Sequence, residues 1–260
     1  MVGALGRDDG PDPSVVADGD RGGVHCPYHL RGHTLRPGRR EELIELFDRE
    51  FIETQEETGM LVLGQFRNLD EPDRFVRLRG FEDMTVRHHA LTGFYDGPVW
   101  AEHGPQANAT MADSDVVLLL RPLTAGSGFT VRPSHRPRPG APAPEGFVSA
   151  TVWSFPPGQP EGIALIRHGL LPVLHETGPA PLAALTTETA RNTFARLPVR
   201  TGENAAVVFT SYPDESAHRR HMAEMRVHPR AREILTSIGR EQTAVPRTLR
   251  LAPTSRSLLP

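Results

Sequence analysis

Histidine and arginine alternate within residues 28–38, whose sequence is YHLRGHTLRPG. Successive side chains of a β-strand point to opposite faces, so His29, Arg31 and His33 share one face. Histidine exchanges protons near neutral pH, and arginine is a fixed cation that binds carboxylate or enolate oxygen. These three residues suit proton abstraction next to a carbonyl group, with the anion held by the guanidinium. We predict that they are catalytic.

The alternative for this strand is that its polar face meets solvent, or that the three side chains satisfy one another. Burying two imidazoles and a guanidinium without a role is costly. We therefore expect the imidazole rings of His29 and His33 to face an enclosed, hydrated cavity between two sheets.

Four further residues are candidates for substrate binding. Arg79 alternates with apolar residues on a later strand, where pairing with a carboxylate is the ordinary explanation. Tyr95 and Trp100 lie in a helical region, where aromatic residues commonly belong to the core. The amide of Asn108 suits either a helix cap or a directional contact with a ligand. We predict that all four shape the substrate pocket.

Composition excludes several classes of chemistry. The chain has no lysine, which excludes a Schiff base and a phosphate-binding-loop lysine. Cys26 is the single cysteine, so an intramolecular disulfide and a thiolate-rich metal site are excluded. His218 and His221 have a spacing that can bind metal, but arginines surround them and no paired carboxylate motif is evident. We expect no metal site.

The overall balance of residues is typical of a soluble globular protein. Of 260 residues, 38% are hydrophobic and 23% charged, and the net charge is -3. Neither nucleic acid nor an anionic membrane is expected as a partner. No apolar stretch is long enough to span a bilayer, and residues 1–23 have no signal-peptide core. We expect a cytoplasmic protein with a disordered tail over residues 1–23.

The residue pattern predicts the element order β-α-β-β-α-β twice. Pro37-Gly38 and Pro157-Gly158 end the first strand of each half, 120 positions apart. The predicted elements of the first half are a strand over 24–36, a helix over 40–58, strands over 60–68 and 74–81, helices over 83–108 and a strand over 115–121. Those of the second half are a strand over 148–155, a helix over 162–176, strands over 180–187 and 205–212, helices over 214–226 and 229–239 and a strand over 247–251.

This order predicts an α+β fold of two tandem ferredoxin-like repeats. Helices cover one face of each antiparallel sheet, so the opposite faces are expected to meet as a barrel with outer helices. The predicted divisions are the tail 1–23, a first repeat over 24–123, a proline-rich linker over 124–147 and a second repeat over 148–254.

A set of short motifs in residues 24–123 suggests a family. They are Tyr28-x-Leu30-Arg31 with Thr34-Leu35-Arg36-Pro37-Gly38, Leu78-Arg79-Gly80-Phe81, Phe94-Tyr95 with Gly97-Pro98-Val99-Trp100, Ala107-Asn108 with Thr110-Met111, and Asp113-Ser114-Asp115. In these the chain resembles the NIPSNAP family of the dimeric α/β-barrel superfamily. The resemblance implies the ferredoxin-like barrel. His29 and His33 depart from it, since family members usually carry glutamate and tyrosine there.

The superfamily includes cofactor-free oxygenases, cyclases and decarboxylases of aromatic polyketide-like substrates, and also haem enzymes. We predict an enzyme of secondary metabolism that uses cofactor-independent acid/base catalysis on a small molecule bound inside the barrel. The reaction would be a cyclisation, isomerisation, dehydration or decarboxylation. The alternatives are a non-catalytic binding or scaffold protein and a haem enzyme with His168, His175 or His221 as ligand. A homodimer is neither required nor excluded.

Overall fold

The computed structural model describes residues 27–260, apart from the side chains of Asp115 and Val116. The predicted disordered tail, together with Cys26, lies outside the described residues. The strands are β1 (Tyr28–Leu35), β2 (Leu61–Asn68), β3 (Arg74–Gly80), β4 (Met111–Pro122), β5 (Phe147–Ser154), β6 (Ala183–Thr187), β7 (Ala205–Tyr212) and β8 (Arg247–Pro253).

Helices occupy the intervals that the apolar spacing indicates. They are α1 (Arg40–Leu46), α2 (Ile52–Glu57), α3 (Met84–Tyr95), α4 (Pro98–Thr110), α5 (Glu161–Leu165), α6 (Leu171–Thr177), α7 (Glu215–Val227) and α8 (Pro229–Glu241). One π-helical turn, Phe47–Phe51, joins α1 to α2, and another, Ile166–Leu170, joins α5 to α6.

The strands form one closed antiparallel barrel in the order β1-β3-β2-β8-β5-β7-β6-β4. Within residues 28–122 the spatial order is β4-β1-β3-β2, and within residues 147–253 it is β8-β5-β7-β6. Two junctions, β2 with β8 and β4 with β6, close the barrel. The predicted α+β antiparallel barrel is confirmed. That the two halves are repeats of one another stays a prediction.

Apolar side chains from every strand fill much of the barrel interior. On β1 and β3 these include Tyr28, Leu30, Val76 and Leu78, each 5% exposed or less. The alternate residues of the same strands point outward, beneath the helices. There a second apolar cluster joins the outer face of the first-half strands to α1–α4, and a third does the same for the second half and α5–α8.

The proline-rich connector is anchored to the barrel. Arg136 donates to the carbonyl oxygens of Val62 and Arg256, at 2.7 Å in each case, and forms an ion pair with Glu56. Its guanidinium is buried, so this segment is more than a spacer. None of the helices that the structure describes has the length and apolar character needed to cross a bilayer.

Candidate functional site

A cavity of about 270 Å³ lies between the outer face of the first-half strands and helices α1–α4. Strand residues form its floor, helix residues form its walls, and the loop between β6 and β7 closes one side. The lining includes Arg31, His33, Phe47, Phe51, Gln55, Arg77, Phe94, Tyr95, Trp100, Asn108, Ser114, Phe194, Arg196 and Leu197.

The residues that the sequence predicted as catalytic lie at this outer cavity instead of inside the barrel. Apolar side chains fill much of the interior, as in other eight-stranded barrels. A pocket of about 290 Å³ remains among inward-facing residues that include Leu30, Val76, Leu118 and Leu249, and none of the predicted catalytic residues lines it. His29, Arg31 and His33 do share a face and are buried, as predicted. That face lies under the helices rather than between two sheets.

Arg31 and Tyr95 meet at the centre of the cavity. Nε of Arg31 donates to the carbonyl oxygen of Ser114 over 3.0 Å, and Nη1 lies 3.4 Å from the Tyr95 hydroxyl. Burial alone would raise the pKa of that hydroxyl, but the charges of nearby guanidinium groups lower it to about 8. Tyr95 is therefore a group that gives and takes a proton near physiological pH.

Arg77 crosses the floor of the cavity. Its Nε donates to Nε2 of His33 over 2.9 Å, and its guanidinium carbon lies 4.3 Å from the ring centre of Phe47. The other ring nitrogen of His33, Nδ1, lies 3.1 Å from the sulfur of Met111. Burial, followed by the charges of Arg77 and Arg31, holds the pKa of His33 well below its usual range.

His29 stands behind the cavity wall instead of lining it, which corrects the prediction that it faces the hollow. Nε of Arg87 donates to Nε2 of His29 over 2.6 Å, and Nη2 of Arg79 lies 3.5 Å from Nδ1. Burial and the charges of Arg79 and Arg87 hold the pKa of this ring well below its usual range. With both nitrogens occupied and no route to the cavity, His29 orients guanidinium groups.

Gln55 lines the cavity and carries an unpaired hydrogen-bond donor. Its side chain is fully buried, and its Oε1 accepts from Nη1 of Arg79 over 3.2 Å. That contact fixes the amide orientation, and Nε2 has no partner within the described residues. An unsatisfied buried N–H costs free energy, so an oxygen acceptor supplied by a ligand fits this position.

Four buried arginines lie at or just behind this cavity: Arg31 and Arg77 line it, and Arg79 and Arg87 stand behind its wall. Among the described side chains, no carboxylate lies within ion-pair distance of any of them. Arg87 instead donates to Asn192 Oδ1 over 2.9 Å, and the others contact histidine, glutamine, tyrosine or backbone oxygen. Burial lowers the pKa of Arg77 well below its usual value, and the charges of Arg79 and Arg31 reinforce that shift. The site is electropositive and attracts an anion.

Aromatic rings complete the walls. Trp100 packs against Phe51 and Tyr95 with ring centres 5.6 and 4.8 Å apart, and Asn108 lies exposed at the rim. Phe194 stacks on Tyr95 at 5.7 Å, and Arg196 forms an ion pair with Asp96 beside it. The predicted pocket residues Tyr95, Trp100 and Asn108 thus line the cavity, whereas Arg79 supports it from behind.

Sequence reasoning did not predict a role for Arg77, two residues before Arg79 on β3. It also missed Gln55, Arg87, Phe194 and Arg196. The first two lie on helices, where their neighbours give no sign of a polar cavity. The last two come from the β6–β7 loop, about 100 residues away from Tyr95 along the chain. No local pattern connects that loop with the first half.

The fold itself does not require this ionic cluster. By place in the barrel order, β5 and β7 stand in the second half where β1 and β3 stand in the first, and their pairings can be compared residue by residue. The inward-facing residues agree with that correspondence, since Val148 and Ala150 match Tyr28 and Leu30. The positions of His29, Arg31, His33, Arg77 and Arg79 are taken in the second half by Ser149, Thr151, Trp153, Val208 and Thr210. A neutral set therefore satisfies the same architecture.

The histidines considered for haem do not fit that role. Both ring nitrogens of His221 are engaged, Nδ1 with the Tyr212 hydroxyl at 2.7 Å and Nε2 with Thr177 Oγ1 at 3.0 Å. His168 and His175 are exposed on helices. Within the described part of the chain, no three metal-ligating side chains converge.

Comparison with solved structures shows the fold. An anthrone oxidase-like protein aligns over 91% of this chain and 95% of its own, with 14% identity and a TM-score of 0.57. A candidate monooxygenase from Lactobacillus acidophilus aligns over 88% and 96%, with 13% identity and a TM-score of 0.52. At such identities the likeness establishes the α+β barrel alone.

A NIPSNAP family protein from Agrobacterium tumefaciens matches 37% of this chain and 88% of its own, with 17% identity and a TM-score of 0.34. That score supports no inference, so the NIPSNAP resemblance rests on the sequence motifs. Comparison with protein-family models and with curated proteins gave no match.

Proposed function

We propose that the first-half cavity binds a planar, partly apolar organic molecule with oxygen substituents and removes a proton from it without a cofactor. The observation that carries this proposal is a cavity that contains the buried guanidinium groups of Arg31 and Arg77 and a tyrosine with a pKa of about 8, with two more buried guanidinium groups behind its wall. The neutral residues at the corresponding second-half positions support a functional origin for the charge.

In the proposed reaction, the Tyr95 phenolate accepts the proton from a carbon next to a carbonyl group. The electrons of the C–H bond move onto the carbonyl oxygen, and Arg31 and Arg77 stabilise the resulting enolate. The hydrogen bond between Arg77 and His33 fixes the position of the Arg77 guanidinium. Nε2 of Gln55 donates to a second oxygen of the substrate.

This assignment moves the proton-transfer role from the histidines to Tyr95. The acceptor nitrogen of His33 is occupied by Arg77, and His29 does not line the cavity. Cyclisation, isomerisation and dehydration each proceed from an enolate, and decarboxylation produces one, so the site suits all four predicted reaction types. The names of the structural neighbours agree with a small-molecule substrate.

Deuterium exchange tests the proposal. Anthrone, an aromatic ketone with an acidic methylene group, is incubated with the protein in heavy water, and loss of the methylene proton signal is followed by NMR. Oxygen uptake is recorded in parallel, because two structural neighbours bear names of oxygen-consuming enzymes. We expect the protein to accelerate exchange and Arg31→Met to lose that acceleration, while Arg49→Met, on the exposed side of the helix layer, retains it.

The non-catalytic alternative makes a different prediction. If a panel of aromatic ketones and phenols binds and quenches Trp100 fluorescence but none exchanges a proton faster than in buffer, the protein is a binding module. That result would reject the enzymatic proposal while retaining the cavity as a ligand site.

A further inference from the structure

A second cavity, of about 430 Å³, lies under the helices of the second half. It occupies the position between α6, α7 and the outer face of β5, β7 and β8 that corresponds to the first-half cavity. Its lining is mostly apolar or hydroxyl-bearing and also includes three charged residues, Asp70, Arg226 and Arg250.

The strand positions of the first site and the position of Gln55 have neutral counterparts here, whereas Tyr95, twelve residues after the cap Asp83, corresponds to Arg226, twelve residues after Asp214. The strand positions carry serine, threonine, tryptophan and valine, as the register shows. Asp83 and Asp214 cap α3 and α7, so Arg87, four residues after the first cap, corresponds to His218. The two π-helical turns are offset by 119 residues, which places Leu174 at the position of Gln55.

The interior of the second cavity is apolar with a few hydroxyl groups. Trp153, Leu170 and Met225 are buried in its walls, and the hydroxyls of Ser149 and Thr210 are buried at its floor. Burial raises the pKa of Tyr212 to about 12, so its phenol stays neutral. The pKa of His218 is lowered by burial and then by Arg250, which favours a neutral ring.

Charges at this cavity are confined to its rim. Arg250 binds Asp70 through two nitrogen atoms, at 3.0 and 2.7 Å, and also pairs with Glu215, so its charge is neutralised. Arg226 is exposed to solvent. Away from this rim a charged ligand would lose its hydration among apolar walls, whereas a neutral ring system would bury apolar surface against them.

We propose that the second cavity is a separate binding site for an uncharged, ring-containing molecule that carries one carbonyl or hydroxyl oxygen. The apolar walls hold the rings. The hydroxyls of Ser149 and Thr210, which also lie within hydrogen-bonding reach of the Tyr212 hydroxyl, bond to the oxygen. The protein thus has two small-molecule sites of opposite character, a cationic one in the first half and a neutral one in the second. This inference does not depend on the proposed reaction in the first cavity.

The two tryptophans of the chain make the two sites separately observable. Trp100 lines the first cavity and Trp153 the second. In Trp100→Phe the remaining fluorescence reports on the second cavity, and in Trp153→Phe it reports on the first. The probes are 2-acetylnaphthalene, which is neutral, and 2-naphthoate, which has the same rings and a negative charge.

In the Trp100→Phe variant, we expect added 2-acetylnaphthalene to change the Trp153 fluorescence until it saturates. We expect 2-naphthoate to leave that fluorescence unchanged. Thr210→Val keeps the side-chain shape but removes the hydroxyl, and should weaken 2-acetylnaphthalene about five- to tenfold while leaving naphthalene binding unaffected. Thr151→Arg, at a half-buried position, should weaken the neutral probe and allow 2-naphthoate to bind.

Three results would overturn the proposal. The first is equal binding of the two probes at Trp153, and the second is no saturable change with either. The third is a change in Trp153 emission on concentrating the protein alone, with a parallel rise in mass by light scattering, because a second copy of the chain would then cover the cavity.

Discussion

Arg77 donates from Nε to Nε2 of His33 across 2.9 Å, so the acceptor nitrogen of this ring is taken and its proton lies on Nδ1. Arg87 contacts Nε2 of His29 in the same way at 2.6 Å. Both imidazoles serve as hydrogen-bond acceptors for cations, which requires them to be neutral. Their lowered pKa values, caused first by burial and then by arginine charge, agree with this role.

Neutral buried histidines predict sensitivity to acid. Below about pH 6.5 the unfolded chain protonates both rings while the folded protein does not, so the free energy of unfolding falls as the pH falls. The expected slope is ~1.4 kcal/mol per pH unit for each histidine, until the folded-state pKa is reached. Urea unfolding between about pH 7 and about pH 5 measures it.

The His33→Gln variant tests how much His33 contributes to this pH dependence of the free energy of unfolding. The glutamine Oε1 can replace Nε2 as acceptor for Arg77 but does not titrate. We expect stability near neutral pH to be retained and the acid slope to lose the contribution of one histidine. An unchanged slope would show that His33 does not titrate differently in the folded and unfolded states.

Tyr95→Phe tests the proposed base. The variant keeps the ring and its stacking on Phe194 but has no group to accept the proton, so the exchange rate should fall by about 10²–10⁴-fold. In the wild type the rate should rise with pH and level off above the Tyr95 pKa of about 8. Tyrosinate absorbance provides a reading independent of activity. A titration near this pH that persists in Tyr95→Phe would assign it to another group.

Gln55→Glu would give the arginine cluster a counter-charge. The Oε1 of Gln55 is 3.2 Å from Nη1 of Arg79, close enough for a buried ion pair. We expect the free energy of unfolding to rise by about 1–3 kcal/mol and 2-naphthoate to bind at least about tenfold more weakly. Gln55→Leu is the control, because it removes the amide without adding charge and should lower stability. Unaltered naphthoate binding in Gln55→Glu would contradict an anion site at this cluster.

Phe194→Leu tests the contribution of the second half to the first site. Phe194 stacks on Tyr95 with an interplanar angle of 25°, so its removal should weaken 2-naphthoate about three- to tenfold. Phe155→Leu is the matched control, since Phe155 is equally well buried but packs in the second-half core. A comparable loss of affinity in both variants would point to general destabilisation instead of a missing wall.

Much of the architecture follows from local pattern. Alternation of apolar and polar residues places His29, Arg31 and His33 on one face of β1, and the spacing of Leu43, Phe47 and Phe51 indicates the helix that follows. The turn at Pro37-Gly38 ends β1 because Gly38 adopts a positive φ of 75°. These features depend on neighbours within a few residues, so the sequence alone predicts them.

Which face of a strand becomes the inside is a different matter. The alternation of polar and apolar residues shows which side chains share a face of a strand, but not which face the barrel encloses. Only the closed arrangement of all eight strands shows that Tyr28 and Leu30 lie on the inner face. The site likewise required long-range contacts, because Arg87 reaches His29 across 58 positions and Phe194 comes from the other half. Sequence patterns carry the periodicity of each element. The charge and enclosure of a cavity are set where separate elements meet, and that information exists only in the packed structure.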